Sequence, residues 1–478
     1  MKKRIAFISG HFNVVHPGHL RLFRFAKENS DVLIVGVESD KLAGNAAHVP
    51  ENMRVEGVQS NVWVDEVLLV KDSIISTINE LKPDIVVKGK EFEVQHNPEE
   101  EIIKKYGGRL IFSSGESLFS SLDLLRREFS SPITNSISLP KEYLDRHNIE
   151  LTDLKKVVHK FSTLKICVIG DLIVDEYITC QPLGMSQEEP TIVVTPIDTV
   201  KFVGGAGIVA AHASGLGAKV DFISIVGDDS THGFASETLT NDKVRHYLFC
   251  DDSRPTTLKK RYRCGGKSML RVSYLHQDPI SVILQDKIFS KIEEILNECN
   301  LIVLSDFNYG VLPQPLVDRI ITLAKLRGVM IVADSQSSSQ VGDISRFKGM
   351  HLITPTEREA RISIRNYESG IVLLAEQLRQ EARVRNILLK LGEEGLLIHA
   401  EDGNSPNWLT DRIPALNDSP KDVAGAGDSL LITSAMAIAC GGNIWEAACL
   451  GSLAAAVQVG RVGNTPLKIE ELLNEITL

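Results

Sequence analysis

At 478 residues the chain is too long for one ordinary core, and two or three domains are expected. Its 43% hydrophobic and 24% charged content is that of a soluble globular protein. The net charge of −10 argues against a general nucleic-acid binder and gives no support for an anionic membrane surface, and no run approaches the roughly 18 apolar residues of a membrane span.

The first residues, "MKKRIAFISGHF", are basic and then apolar, but an apolar part of about four residues is too short for the core of a secretory signal. The seven cysteines are scattered with no C-x-x-C pair, which fits reduced thiols and a cytoplasmic location. Residues 5–8 read as a buried parallel strand entering a turn at Gly10. "GHFNVVHPGH" (10–19) follows, where Pro17 suits a first helical turn and Leu20, Phe23 and Ala26 continue at helical spacing. His16 and His19 then sit where free N–H groups of a helix start attract phosphate. Capping or core histidines are the plainer alternative, and a metal site lacks a cysteine or acidic partner at ligand spacing. "DVLIVGVESD" (31–40), "VDEVLLV" (64–70), "DIVVKG" (84–89) and "GGRLIFSS" (107–114) read as further strands separated by helices. This predicts a small doubly wound sheet with ligands at the strands' carboxyl ends, where His16, His19, Ser39–Asp40 and Lys88–Gly89 all fall.

Residues 1–130 form the first expected domain, 131–160 a linker with a leading helix, and 161–478 the second domain. The second opens with "LKICVIGDLIVDEYI" (164–178), a strand ending at Gly170–Asp171 with Asp175 four residues on. "FVGGAGIVAAHASGLGAKVDFISIVGDD" (202–229) joins a glycine turn at Gly204–Gly205, a helix of small residues and another strand. In "DVAGAGDSLLITSAMAIACGG" (422–442), Gly425, Ala426 and Gly427 open a helix with Asp428 in its first turn. Phosphoryl transfer needs such a pairing: N–H donors for the moving charge and a carboxylate for the hydroxyl proton. An ordinary glycine-rich helix start is the alternative. Two other motifs fail, since "CGGKS" (264–268) has Arg261 where a P-loop needs glycine, and "GAGDSL" lacks the third glycine of a dinucleotide fingerprint.

The stretch "GHFNVVHPGH" resembles the G-x-F-D-x-x-H-x-G-H signature of cytidylyltransferase-like nucleotidyltransferases, with Asn13 in place of aspartate. That resemblance implies nucleotidyl transfer to a phosphorylated acceptor with release of pyrophosphate. It assigns His16 and His19 to catalysis, and Gly10, Phe12, Asn13, Gly18, Arg54, Lys88, Ser120 and Ser121 to the nucleotide, the serines lying in "LFSSLDLL" (118–125). For Arg54 and Lys88 a surface charge is the alternative.

The second region is similar to PfkB/ribokinase sugar kinases through "GDLIVDEY", "GGAGIVAAHASGLGA", "LSDFNYG" (304–310), "ITPTEREA" (353–360) and "DVAGAGD". Residues 184–207 and 255–272 resemble more closely the kinase half of the bifunctional heptose enzymes of ADP-heptose synthesis, and "VGVESD", "DIVVKG" and "GGRLIF" their adenylyltransferase half, in swapped order. The implied fold is α/β: a Rossmann-like nucleotidyltransferase domain, then a ribokinase-like domain. The implied kinase site has Asp428 as base, Gly425, Ala426 and Gly427 as anion hole, and Glu359 beside Mg²⁺ and the phosphates of ATP. Asp171, Asp175, Gly204, Gly205 and Asp306 go to the sugar; Lys259, Arg261 and Arg271 hold a distal phosphate or form a solvated basic stretch. No residue is assigned to a resident metal. The implied partners are a sugar phosphate, ATP and a second copy through the kinase domain.

Five positions depart from the family pattern: Ile208 for a sugar-contacting asparagine, Ala424 for threonine, Thr356 for the asparagine of N-x-x-E, and Gln336 and Tyr309 for lysines. A pocket that loses an amide loses a donor and an acceptor, so a different sugar or weak turnover is one expectation. The retained carboxylate and glycines favour phosphorylation of a sugar, heptose 7-phosphate at C1, followed by nucleotidyl transfer from ATP to give an ADP-sugar. The alternatives are a nucleotidyltransferase with a kinase-like domain that only supports assembly or senses ligand, a kinase for another sugar, and a regulator that only binds nucleotide.

Overall fold

The computed structural model describes residues 3–13, 15, 17–89, 97–112, 137–186, 188–189, 191–264, 267–336, 342–401 and 408–477. His16, Ser120 and Ser121 lie outside the described residues. The chain divides into two compact units, Met1–Thr134 with Asn366–Leu374, and Asn135–Arg365 with Ala375–Leu478.

In the first unit β1 (Ile5–Gly10), β2 (Val32–Glu38), β3 (Glu66–Val70), β4 (Ile85–Lys88) and β5 (Arg109–Phe112) form a parallel sheet in the order β3-β2-β1-β4-β5. Successive side chains of a strand point to opposite faces, and here both faces are covered. Phe7, Ile34 and Val86 join Ile78 and Ile103 in one cluster. Ala6, Ile8, Leu33, Val35 and Val87 join Phe23 and Val58 in the other. Strand order reverses at β1, so a crevice opens at the carboxyl ends of β1 and β4.

The second unit contains β6 (Lys165–Gly170), β7 (Leu172–Met185), β8 (Ile192–Gly205), β9 (Lys219–Val226), β10 (Arg245–Cys250), β11 (Leu258–Cys264), β12 (Lys267–Tyr274), β13 (Leu301–Asp306), β14 (Met330–Ser335), β15 (Leu352–Ile353), β16 (Asn386–Lys390), β17 (Leu396–Glu401) and β18 (Trp408–Ile413). The large sheet has the order β10-β9-β6-β13-β14-β15-β16-β17-β18, parallel as far as β16 and antiparallel beyond it. Helices Ala206–Gly215, Ala426–Ala439 and Ile444–Val459 are apolar nearly all round and are buried together with Val168, Val303 and Val332. Helices Lys141–Arg146 and Leu151–His159 place Tyr143, Leu144, Leu154, Val157 and Val158 in the same core. The long strands β7 and β8 leave the body as a hairpin and pair into a second sheet, β12-β11-β7-β8. No helix among the described residues is long and apolar enough to cross a membrane.

Candidate active sites

In the second unit the carboxyl ends of β14 and β16 meet the start of helix Ala426–Ala439. Gly425 caps that helix at φ +76°, a left-handed conformation that an L side chain adopts at a cost of about 1–2 kcal/mol. A Cβ there would lie 2.5 Å from Asn464 Oδ1, so the turn has no room for one. The first N–H groups of a helix lack carbonyl partners within it and carry partial positive charge. Asp428, in the first turn, is buried and accepts a hydrogen bond from Gln336 Nε2 at 3.0 Å. Burial, helped by the Asp334 charge, pushes its carboxyl up to about 7, which suits a general base at neutral pH.

Behind the helix start Lys390 Nζ bonds Asp334 Oδ2 at 3.0 Å and lies 3.2 Å from where a Cβ on Gly427 would stand. Burial disfavours the Lys390 charge, but Asp334 and Glu359 outweigh it and raise its pKa. Thr356 and Glu359 cap helix Glu357–Ile364 reciprocally, so the threonine that departs from N-x-x-E is a helix cap.

The residues expected to meet a sugar stand on the second sheet. Asp175 Oδ1 accepts Arg261 Nη2 at 3.2 Å, and its Oδ2 accepts Asn464 Nδ2 at 3.5 Å. A Cβ on Gly204 would come within 2.5 Å of the same Oδ2, which explains the bare backbone at the end of β8, beside Gly205. The Arg261 guanidinium lies 5.5 Å from the Tyr177 ring, and the Tyr177 hydroxyl donates to Asp422 Oδ2 at 3.1 Å. Arg271 pairs opposite Arg261 on β12 and is exposed, whereas Lys259, opposite Asp175, is buried.

Three expectations at this site need correction. The Asp171 carboxylate accepts the N–H groups of Phe307 (2.7 Å), Tyr309 (3.3 Å) and Val311 (3.3 Å), so it orders the loop after β13 and has no free face for a sugar. Burial and the neighbouring Asp306 charge push its carboxyl up to about 7. Asp306 is taken by Ser335 Oγ at 2.8 Å and Arg346 Nη2 at 2.9 Å. Ile208 is 1% exposed inside the hydrophobic core, so it does not line a sugar pocket.

Two residues escaped sequence reasoning. Gln458, fully buried, donates from Nε2 to the carbonyls of Ala424 (3.2 Å) and Gly463 (3.0 Å), and so ties the turn at Gly425 to the next loop. Asn464 lies between Asp175 and Gly425. Neither stands in a motif; the only signal was a polar residue interrupting the apolar run "LAAAVQV".

In the first unit helix Pro17–Glu28 leaves the carboxyl end of β1. His19 meets the Phe12 ring edge-on at 5.0 Å and Phe23 at 6.4 Å. Gly10 and Gly18 flank this turn. The Phe12 ring is buried in the core, packed over Gly10, and is not offered to a nucleotide. Asn13 clamps the following loop: Nδ2 donates to Ala46 O at 2.7 Å, and Oδ1 accepts His48 N–H at 2.7 Å. Arg54 is 1% exposed and donates to the carbonyls of Val49, His11 and Glu38 and to Asp40 Oδ1, so it serves the fold and not a phosphate. Lys88, at the end of β4, pairs with Glu99 at 3.1 Å.

The larger unit therefore has a ribokinase-like α/β fold with Asp428 and the glycine-capped start of helix Ala426–Ala439 at the carboxyl ends of a parallel sheet. Residues 163–471 match the family model of the pfkB family carbohydrate kinases, and the chain belongs to that family. Residues 7–124 match the cytidylyltransferase-like model. The chain is similar to the bifunctional protein HldE of a Nitratiruptor species, 30% identical over 312 residues, 64% of this chain and 64% of the relative. HldE of Helicobacter hepaticus is 31% identical over 317 residues, 65% of this chain and 64% of the relative. The chain thus spans slightly under two thirds of these relatives' length. Ribokinase of Arabidopsis thaliana complexed with ribose and ATP aligns with a TM-score of 0.51 at 17% identity, over 66% of this chain and 99% of that one. Phosphofructokinase-2 from Escherichia coli, in complex with substrates and products, aligns with a TM-score of 0.52 at 15% identity, over 66% and 98%. At these identities the two structures speak for the fold alone.

Proposed function

We propose that the chain makes a nucleotide-activated sugar in two steps. The observation that carries this reading is Asp428, a buried carboxyl held near neutral pKa in the first turn of a glycine-capped helix. Asp428 takes the proton of a sugar hydroxyl, at C1 of heptose 7-phosphate, as that oxygen attacks the γ-phosphorus of ATP. The N–H groups of Gly425, Ala426 and Gly427 receive the charge of the transferred phosphoryl group. Asp175, backed by Arg261 and Asn464, orients the sugar hydroxyls, and Arg271 meets the distal phosphate. Mg²⁺ carried by the triphosphate neutralises phosphate charge. Among the described residues Glu359, whose charge acts on Lys390 behind the helix start, is the carboxylate that would help hold that ion. Among the described residues no three His, Cys, Asp or Glu side chains group as a dedicated metal site.

In the first unit the C1 phosphate of the sugar attacks the α-phosphorus of ATP, pyrophosphate leaves, any phosphate at C7 stays on the sugar, and no covalent enzyme intermediate is required. His16 and His19 neutralise phosphate charge, His19 from the first turn of helix Pro17–Glu28, and Lys88, Ser120 and Ser121 supply further contacts to the phosphates. Support comes from the two family matches and from relatives named as bifunctional. The exposed Leu183, Met185, Ile192 and Ile197 of hairpin β7–β8 form the surface we assign to a second copy, and the cytoplasm is the proposed location.

Incubation with ATP, Mg²⁺ and a panel of sugar phosphates, with products identified by mass, tests the reading. It expects a sugar bisphosphate and an ADP-sugar. An ADP-sugar formed only from supplied sugar 1-phosphate would replace it with a single-activity nucleotidyltransferase.

A further inference from the structure

We infer that Lys259 binds the phosphoryl group in transfer, and not the distal phosphate of the sugar; this rests on the two-step reading above. Lys259 is only 5% exposed. Among the described residues no oxygen lies within hydrogen-bonding distance of its Nζ. Its company is two aromatic faces, Phe307 with its centroid at 5.3 Å and Tyr309 at 5.2 Å. Two aromatic faces favour a cation, but neither supplies a counter-charge or a hydrogen-bond acceptor. An anion arriving beside Nζ would supply both.

Position along β11 says which anion. The strand pairs parallel with β7, placing Lys259 opposite Asp175 and Arg261 one step further out, opposite Tyr177. Asp175 touches Asn464, and Asn464 Oδ1 sits against Gly425 at the mouth of the anion hole. Lys259 is therefore the basic residue of this face nearest the reacting end. Its charge is also felt at Asp428, where it works against the rise caused by burial. The distal phosphate lies at the other end of the sugar and falls to Arg261 and the exposed Arg271. In the step itself the sugar oxygen forms a bond to the γ-phosphorus, the bond from that phosphorus to ADP breaks, and the hydroxyl proton goes to Asp428. Lys259 keeps its protons throughout and balances the negative charge on the phosphoryl oxygens.

The test is Lys259→Met in the full chain, which keeps the apolar stem and removes the charge. Phosphorylation is measured on heptose 7-phosphate and on the same heptose without its phosphate, together with thermal melting. The inference expects kcat to fall on the order of 10²-fold on both sugars, the loss seen when one charge-stabilising donor is removed. KM for heptose 7-phosphate should stay within about threefold, because interactions made only in the transition state act on kcat. The melting temperature should hold or rise. A raised KM for heptose 7-phosphate with kcat intact, and no effect on the neutral heptose, would return Lys259 to the distal phosphate and overturn the inference. A drop in melting temperature would make Lys259 a structural residue and overturn it as well. A wild-type chain that phosphorylates neither sugar overturns the two-step reading together with this inference. An unimpaired variant beside an active wild type overturns this inference alone.

Discussion

Replacing Gly425 by alanine probes the anion hole at its tightest point. The residue caps helix Ala426–Ala439 at φ +76°, which costs an alanine about 1–2 kcal/mol. The new Cβ would also stand 2.5 Å from Asn464 Oδ1 and 3.3 Å from Gln458 Nε2. Asn464 must then turn away and give up its bond to Asp175, worth about 0.5–1.5 kcal/mol. The turn shifts to relieve about 1.5–3.5 kcal/mol in all, the N–H groups lose their aim, and kcat falls on the order of 10²-fold, the loss seen when one charge-stabilising donor is removed. Gly441, at the other end of the same helix, supplies the control: its φ is +89°, but a Cβ there meets nothing within 4 Å. Gly441→Ala should therefore lower stability and spare kcat. The assay is sugar-dependent ADP release, with pyrophosphate release from supplied sugar 1-phosphate measured in parallel. Wild-type ADP release by Gly425→Ala, at full substrate, would refute the assignment of this turn to the transferred phosphoryl group.

Two further outcomes follow from burial. Ile208→Asn places an amide in the hydrophobic core and should cost about 3–5 kcal/mol, read as a melting temperature lower by several degrees; a wild-type melting temperature with altered sugar preference would put residue 208 in the pocket after all. Asp171 and Asp428 both have carboxyls raised to about 7, so the folded chain keeps their protons between about pH 4 and 7 while the unfolded chain loses them. Stability should fall as pH rises through that window, by up to about 1.4 kcal/mol per pH unit for each group, and level off above 7. Denaturant midpoints across pH 4–8 check this, and Asp428→Asn should flatten the slope; a midpoint that rises from pH 5 to 7 would contradict it.

The strands were legible because each parallel strand is an apolar run bounded by glycine or a polar residue, as in "IAFISG" and "KICVIG". The helix at 426 was legible because glycines open it ahead of an apolar run and Asp428 in its first turn suits the positive end of a helix. Long-range wiring was not legible. Arg54 reads as a phosphate ligand only through the family resemblance, but the fold brings three carbonyls around it, and a buried guanidinium takes whatever acceptors are nearest. Asp171 reads as a site carboxylate because it follows a strand, yet the neighbouring β13 loop turns three N–H groups onto it. Asn13 kept the position of the usual aspartate but is committed to the loop at 46–49. Gln458 and Asn464 contribute only because two distant loops meet at Gly425.

In the proposed function two chemistries run in two separate sites of one chain. Measuring sugar 1-phosphate formation and nucleotidyl transfer separately, in Asp428→Asn and in His19→Ala, tests it most directly. Asp428→Asn keeps the shape that Gln336 holds but cannot accept the hydroxyl proton at neutral pH. It should abolish formation of the 1-phosphate and leave transfer to supplied sugar 1-phosphate intact. His19→Ala should let the 1-phosphate accumulate without conversion, and mixing the two variants should restore the ADP-sugar. Full ADP-sugar formation by Asp428→Asn from the starting sugar phosphate would contradict the claim.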